Sequence, residues 1–174
     1  MKQILILYIA FLTFSVAKAQ NEGEVVIPDG QTAIADSAFY KSSEITLLSI
    51  PASVDSIGLH AVDHCFKLVA FKVESNNSTY KTIDGVLYSK DGKTLILCPP
   101  GKTGEFVVPA AATTIAPYAF STCKKLTSIV LPKGIEVIPE GAFQGCWGLQ
   151  KINLPQGLKK IGKRAFNGTI IQKM

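Results

Sequence analysis

Apolar residues in this chain return at a fixed interval. Isoleucine recurs at 115, 138 and 161, the pair Ala-Phe at 119–120, 142–143 and 165–166, and proline at 109, 132 and 155, so that every step is 23. A constant period of roughly 20 to 50 residues marks a solenoid, in which each repeat is one supersecondary unit stacked on the next. The same interval joins Pro28 to Pro51, Ile34 to Ile57 and Phe39 to Val62. Each repeat also carries an apolar triplet before its proline: Val25-Val26-Ile27, Leu48-Ser49-Ile50, Phe106-Val107-Val108, Ile129-Val130-Leu131 and Ile152-Asn153-Leu154. Phe71-Lys72-Val73 holds the same register without a proline. Apolar outer residues around a variable middle one give the period-2 pattern of a half-buried strand. The expectation is six such strands aligned in one parallel sheet. The Ile-x-x-x-Ala-Phe segment suits a short helical or 3₁₀ turn at the return corner, with Ala allowing close packing and Phe filling the interior. The predicted class is a β-rich α/β solenoid, a right-handed coil of about six repeats with a parallel sheet, stabilised by contacts between neighbouring repeats.

One repeat is longer than the rest. The step from Pro51 to Pro109 is 58, which is one of 23 and one of 35. The added residues spell a hairpin within about 80–104: Asp84-Gly85-Val86-Leu87-Tyr88 runs toward Asp91-Gly92, and Lys93-Thr94-Leu95-Ile96-Leu97 returns. Asp-Gly between apolar runs is a strong hairpin signal, because both turn residues must tolerate positive φ. Cys98-Pro99-Pro100-Gly101 ends the returning strand, since proline cannot donate to a ladder.

The joint pattern I-x-x-I-x-x-x-A-F-x-x-C-x-x-L-x-x-I-x-L-P, carried by Ile135 to Pro155 and its neighbours, resembles the BspA-like (Treponema pallidum-type) leucine-rich repeats. Ile83 to Leu95 is similar to the hairpin insert common among those proteins. The resemblance implies a secreted or cell-surface protein of a host-associated bacterium, with a role in protein–protein binding and adhesion to host extracellular proteins. It implies no fixed binding residues. The second repeat departs from the pattern, with Ala61-Val62 in place of Ala-Phe, and the next strand triplet would begin at 175, past Met174. Gly168-Thr169-Ile170-Ile171 offers a shortened last strand. Otherwise an unpaired apolar edge invites pairing with another chain, so an assembly module forming homo-oligomers is the alternative function.

Residues 1–19 read as a cleavable export signal: Lys2, an apolar run from Ile4 to Phe14, and Ala17-Lys18-Ala19 before Gln20. The run is shorter than the ~20 residues that span a bilayer. No second long apolar run follows, so residues 20–174 form one exported repeat domain with no membrane span. Charge is uneven. Residues 20–108 hold 7 Lys against 11 acids, a net −4, and residues 109–174 hold 9 Lys and Arg against 2 acids, a net +7. A basic half favours anionic partners such as acidic glycans, nucleic acid or a membrane surface, but a solvated lysine face is the simpler reading and nucleic acid is not expected.

Cys65, Cys123 and Cys146 each stand three residues after the Phe position, a repeating interior site filled by Ser42 in the first repeat. Buried thiols in a ladder are expected, with a Cys123–Cys146 bridge as the alternative. Cys98 falls outside that ladder. Asp63-His64-Cys65 resembles a nucleophile with a base, but Cys65 is explained by the repeat and chain neighbours rarely face each other. Metal-ligand spacing is absent, and Gly101-Lys102-Thr103 lacks the upstream glycine of a phosphate loop. No enzyme activity, catalytic residue, metal or cofactor is predicted. Asn76-Asn77-Ser78-Thr79 and Asn167-Gly168-Thr169 match glycosylation acceptors and in a bacterium are turns. The candidate binding face is the variable sheet positions Ser49, Lys72, Val107, Ser128, Val130, Lys151 and Asn153. Trp147, the one tryptophan, is either packed on a neighbouring repeat or an exposed anchor.

Overall fold

The computed structural model describes residues 22–171, so the export signal over 1–19 lies outside the described residues. Stacking of repeats builds a β-solenoid of six coils. Its strands are β1 (Glu24–Val26), β2 (Ala33–Ile34), β3 (Leu47–Ile50), β4 (Ser56–Ile57), β5 (Ala70–Val73), β6 (Tyr80–Ile83) and β7 (Val86–Ser89). They continue as β8 (Thr94–Leu97), β9 (Gly104–Val107), β10 (Thr114–Ile115), β11 (Leu126–Val130), β12 (Val137–Ile138), β13 (Lys151–Ile152) and β14 (Lys160–Ile161). The triplets pair as the period requires, in parallel and at matching repeat positions: Val25 with Leu48, Leu48 with Phe71, Phe106 with Ile129, and Ile129 with Ile152. A second, narrower seam pairs Ile34 with Ile57 and Ile138 with Ile161.

Two expectations are corrected. The six triplets form two parallel sheets of three, β1-β3-β5 and β9-β11-β13, instead of one sheet of six. Between them stands an antiparallel meander, β6-β7-β8, whose last strand joins β10. Asp84-Gly85, read above as the start of a strand, is itself the two-residue turn between β6 and β7, with φ of 49° and 72°. That pair of positive angles fits the type I′ turn, whose twist matches the flanking strands.

The other correction removes the helical component: no α- or 3₁₀-helix occurs among the described residues, and the corners are isolated turns. Backbone hydrogen bonds explain why. At the corner of the fourth coil, the amides of Ala119, Ser121 and Cys123 donate within the coil, to the carbonyls of Ala116, Tyr118 and Phe120. The intervening amides of Tyr118, Phe120 and Thr122 donate instead to Glu140, Ala142 and Gln144 of the next coil. Left-handed backbone at Tyr118 (φ 58°) and Thr122 (φ 60°) turns every second amide along the stack. A helix would return all of them to its own turn.

Inside, Phe106, Phe120, Phe143 and Phe166 form a column with successive ring centroids 5.9, 5.1 and 5.3 Å apart. Ala119 and Ala142 are fully buried, which lets adjacent corners close on one another. The meander separates two buried clusters and contributes to both. Val86, Tyr88 and Leu95 face the C-terminal cluster, whereas Tyr80, Leu87 and Leu97 face the N-terminal one. Asn77 is fully buried: its amide donates to the carbonyls of Pro51 (2.9 Å) and Val54 (2.8 Å) and accepts from the amides of Thr79 (2.9 Å) and Tyr80 (2.7 Å). Buried this way, Asn77 has no free amide to carry a glycan.

Candidate functional site

The variable strand positions lie on two separate patches. On the N-terminal sheet Ser49 stands opposite Lys72, and the Ser49 hydroxyl donates to Glu24 at 3.2 Å. On the C-terminal sheet Val107, 58% exposed, stands beside Val130, and Ser128 stands opposite Lys151. Asn153 is engaged locally: its amide accepts from the Leu131 N–H at 2.6 Å and donates to the Leu131 carbonyl at 2.9 Å. Trp147 is on neither sheet. It is 57% exposed and lines a groove of about 290 Å³ at the return corner.

That groove is built from repeat positions. Counting from the interior Phe site, its side chains come from the first, second and fourth positions onward. The first row is Asp63, Ser121, Gln144 and Asn167; the second is His64, Thr122, Gly145 and Gly168; the fourth is Phe66, Lys124 and Trp147. Trp147 therefore sits in a column with Phe66 and Lys124. Every member of the second row has positive φ, from 60° at Thr122 to 76° at Gly168. Gly168 also leaves room for the indole, because an added Cβ would stand 3.0 Å from Trp147 Nε1.

The long coil makes room for this groove. Its Cys98-Pro99-Pro100-Gly101 segment is buried at all four residues. The corner of the second coil consequently meets the fourth directly. The His64 amide donates to Thr122 Oγ1 at 3.1 Å, Ser121 Oγ to Asp63 at 3.3 Å, and Lys125 Nζ to the Phe66 carbonyl at 3.1 Å. His64 is edge-on to Tyr40 and Phe66, and Lys124 Nζ lies 3.5 Å from the Phe66 centroid.

Catalytic geometry does not follow. Asp63 sits between His60 Nδ1 (2.9 Å) and Ser121 Oγ (3.3 Å), so the serine donates to the carboxylate and not to the imidazole that would activate it. The Cys65 thiol points inward to the Phe39 carbonyl at 2.8 Å, while the His64 ring is held among groove aromatics. No group of three His, Cys, Asp or Glu among the described residues is placed to hold a metal. Gly101 donates its amide to the Leu68 carbonyl at 2.7 Å, and Lys102 pairs with Asp84 at 2.9 Å, so that segment offers no phosphate cradle.

All four cysteines are free and buried. Cys98 stands outside the thiol ladder but inside the core: its amide donates to the Ala119 carbonyl from the structural place of the interior Phe, and Cys123 Sγ reaches the Cys98 carbonyl at 3.7 Å. Burial, the largest cause, pushes Cys65 up to about 11 from an ordinary 9.0 and raises Cys123 and Cys146 as well. A thiol with a raised folded pKa stays neutral while the unfolded chain ionises, so its stabilisation is complete below about pH 9 and is lost as pH climbs through 11. The native chain should leave an aromatic disulfide reagent unconsumed at about pH 8, all four thiols reacting once it is unfolded. Its melting temperature should fall between pH 9 and 11. Rapid native labelling of Cys65 would contradict this packing.

A family described as the BspA type leucine-rich repeat region matches in six copies, over residues 13–91 and 102–174. The chain belongs to the BspA-type leucine-rich repeat family. Solved structures agree with that membership. The pneumococcal vaccine antigen PcpA is 25% identical with a TM-score of 0.67, over 84% of this chain and 48% of that one. A leucine-rich cell surface protein from Faecalibacterium prausnitzii is 26% identical with a TM-score of 0.58, over 83% of this chain and 51% of that one. A leucine-rich repeat protein from Eubacterium ventriosum shares the fold at 20% identity and a TM-score of 0.55, over 86% and 65%. This chain thus spans between about half and two thirds of the length of these relatives. Comparison with curated proteins finds no match. These BspA-type repeats form a scaffold whose variable positions point outward from the sheets.

Proposed function

We infer that this chain is an exported BspA-type repeat scaffold that binds protein partners, with host extracellular proteins as the expected class. The observation that carries the reading is the outward row of the C-terminal sheet, where Val107 and Val130 present apolar side chains beside Ser128 and Lys151. A hydrophobic centre with a polar rim is the composition of a protein-binding surface. Residues 1–19 would act as the export signal. The solved relatives include a pneumococcal vaccine antigen and a cell surface protein, which fits display outside the cell.

The test is binding of the purified chain to immobilised extracellular-matrix proteins. Affinity for at least one should drop tenfold or more in the V107D/V130D double variant, with the melting curve unchanged. Absence of binding across fibrous and adhesive matrix proteins would remove the adhesion reading.

A second reading rests on the last described coil. Leu154, Ile161 and Ile170 are each about half exposed there, beside half-buried Leu158 and Phe166. Such an apolar edge can pair with a second copy. Light scattering decides it: a dimer that Ile161→Lys dissociates would favour assembly, and a monomer at high concentration would end that reading.

A further inference from the structure

The corner groove is separate from both sheet faces and is built to meet a ligand through side chains. Corner amides such as those of Phe120, Thr122 and Gly145 are spent on the next coil. An extended peptide finds no free main-chain ladder to join there, which removes strand addition as a binding mode. The Asp63 carboxylate in the lining is engaged by His60 and Ser121, so what the groove offers is a flat indole and short polar groups. Trp147 is 57% exposed, with Thr122, Gln144 and Asn167 around it. The Gln144 Oε1 atom is covered and meets no protein donor, so a ligand hydroxyl that draws the amide outward would satisfy it. Lys124 lines the same groove with its ammonium over the Phe66 ring and no carboxylate partner among the described residues. Lys124 and Trp147 share one column in adjacent coils, and hydrogen-bonded neighbouring segments stand ~4.8 Å apart. One sugar ring laid on the indole can therefore bring a ring carboxylate to the ammonium.

We propose that the groove binds an acidic saccharide, with a pyranose ring stacked on Trp147 and its carboxylate paired with Lys124. The apolar C–H face of the ring covers the indole, and the hydroxyls meet the amide and hydroxyl side chains. The positive balance of the C-terminal half, +7 over residues 109–174, draws such a polyanion toward this end of the solenoid.

Trp147 is the single tryptophan, so the fluorescence of the full purified chain reports on the groove directly. The probes are a glucuronate/N-acetylglucosamine hexasaccharide, a galacturonate hexasaccharide, a neutral N-acetylglucosamine hexamer and hexaglutamate. Saturable change in emission with either acidic sugar, weakening with added salt, is the expected result, and the tighter of the two identifies the uronate source. Calorimetry should show at least tenfold weaker binding for Trp147→Ala, which removes a largely exposed side chain, and for Lys124→Met, which keeps an unbranched stem beside Phe66, both with unchanged melting curves. Equal binding of the neutral hexamer, with Lys124→Met unaffected, would overturn the acidic assignment. A response to hexaglutamate alone would give the groove to acidic peptides, and no response to any probe would overturn the site altogether. None of these outcomes depends on whether the sheet faces bind protein.

Discussion

Replacing Phe143 with alanine should destabilise the chain by about 4 kcal/mol, the middle of the range for an aromatic core truncation. Phe143 is fully buried between Phe120 and Phe166, and its ring nearly parallels both, at 27° and 15°. Removing it opens a void in the middle of a column, where two neighbours lose contacts at once. Coils cannot close over the gap, because the alternating amides of Phe120, Gly141, Phe143 and Gly145 fix the spacing between corners. Denaturant titration would read the change as a lower midpoint at a similar slope. A loss below about 1.5 kcal/mol, the range of tolerated core repacking, would mean that the stack is more deformable than its hydrogen bonds suggest. Phe143→Leu should cost less than Phe143→Ala, since it keeps much of the volume.

Asn77→Ala should cost about 3 kcal/mol or more, although it removes only a short polar side chain. Four backbone groups depend on that amide: the carbonyls of Pro51 and Val54 and the N–H groups of Thr79 and Tyr80. The Val54 carbonyl and the Tyr80 N–H would be left buried without that partner, while the Pro51 carbonyl keeps the Val54 N–H, and a buried unsatisfied group costs about 1 to 3 kcal/mol. Asn77→Asp provides the electrostatic counterpart. It keeps acceptors for Thr79 and Tyr80 but sets a carboxylate against two carbonyl oxygens. Its folded pKa would be raised, so the variant should regain stability as pH falls and the acid protonates. Thermal melts between pH 7 and 4 would check the sign, and a variant that grows weaker on acidification would contradict the geometry.

Strand positions were legible because one physical rule governs them. Ile34 pairs with Ile57 and Ile129 with Ile152, each one repeat further along, since stacked coils must match apolar residues with apolar residues. The corner was not legible. Ile-x-x-x-Ala-Phe is compatible with a helical turn, and nothing in the identity of Tyr118, Thr122 or Arg164 announces the left-handed backbone they adopt. Their neighbours impose it, because the outward amides bond to the next coil. The insertion hid two further relations. Cys98 stands one position too near Phe120 for the repeat, so its place in the interior column escapes the period. Of the two Asp-Gly pairs in the loop, the apolar flanks single out the second as a turn, and both are turns. The groove left a usable signal: repeats written beneath one another put Phe66, Lys124 and Trp147 in a single column. That row lies on the corner, away from the strand positions where the binding face was sought.

The meander has a further effect on how the molecule comes apart. A simple solenoid behaves as a chain of nearest-neighbour couplings, so its ends fray one repeat at a time. Here the middle strand β7 is buried on both faces, giving Val86 and Tyr88 to one side and Leu87 to the other. Melting either end as far as the centre strips one whole face of that strand while the other still holds it. Fraying from the N-terminus and from the C-terminus should therefore arrest at the same place, and the last amides to exchange their hydrogens should be those of a segment that breaks the repeat.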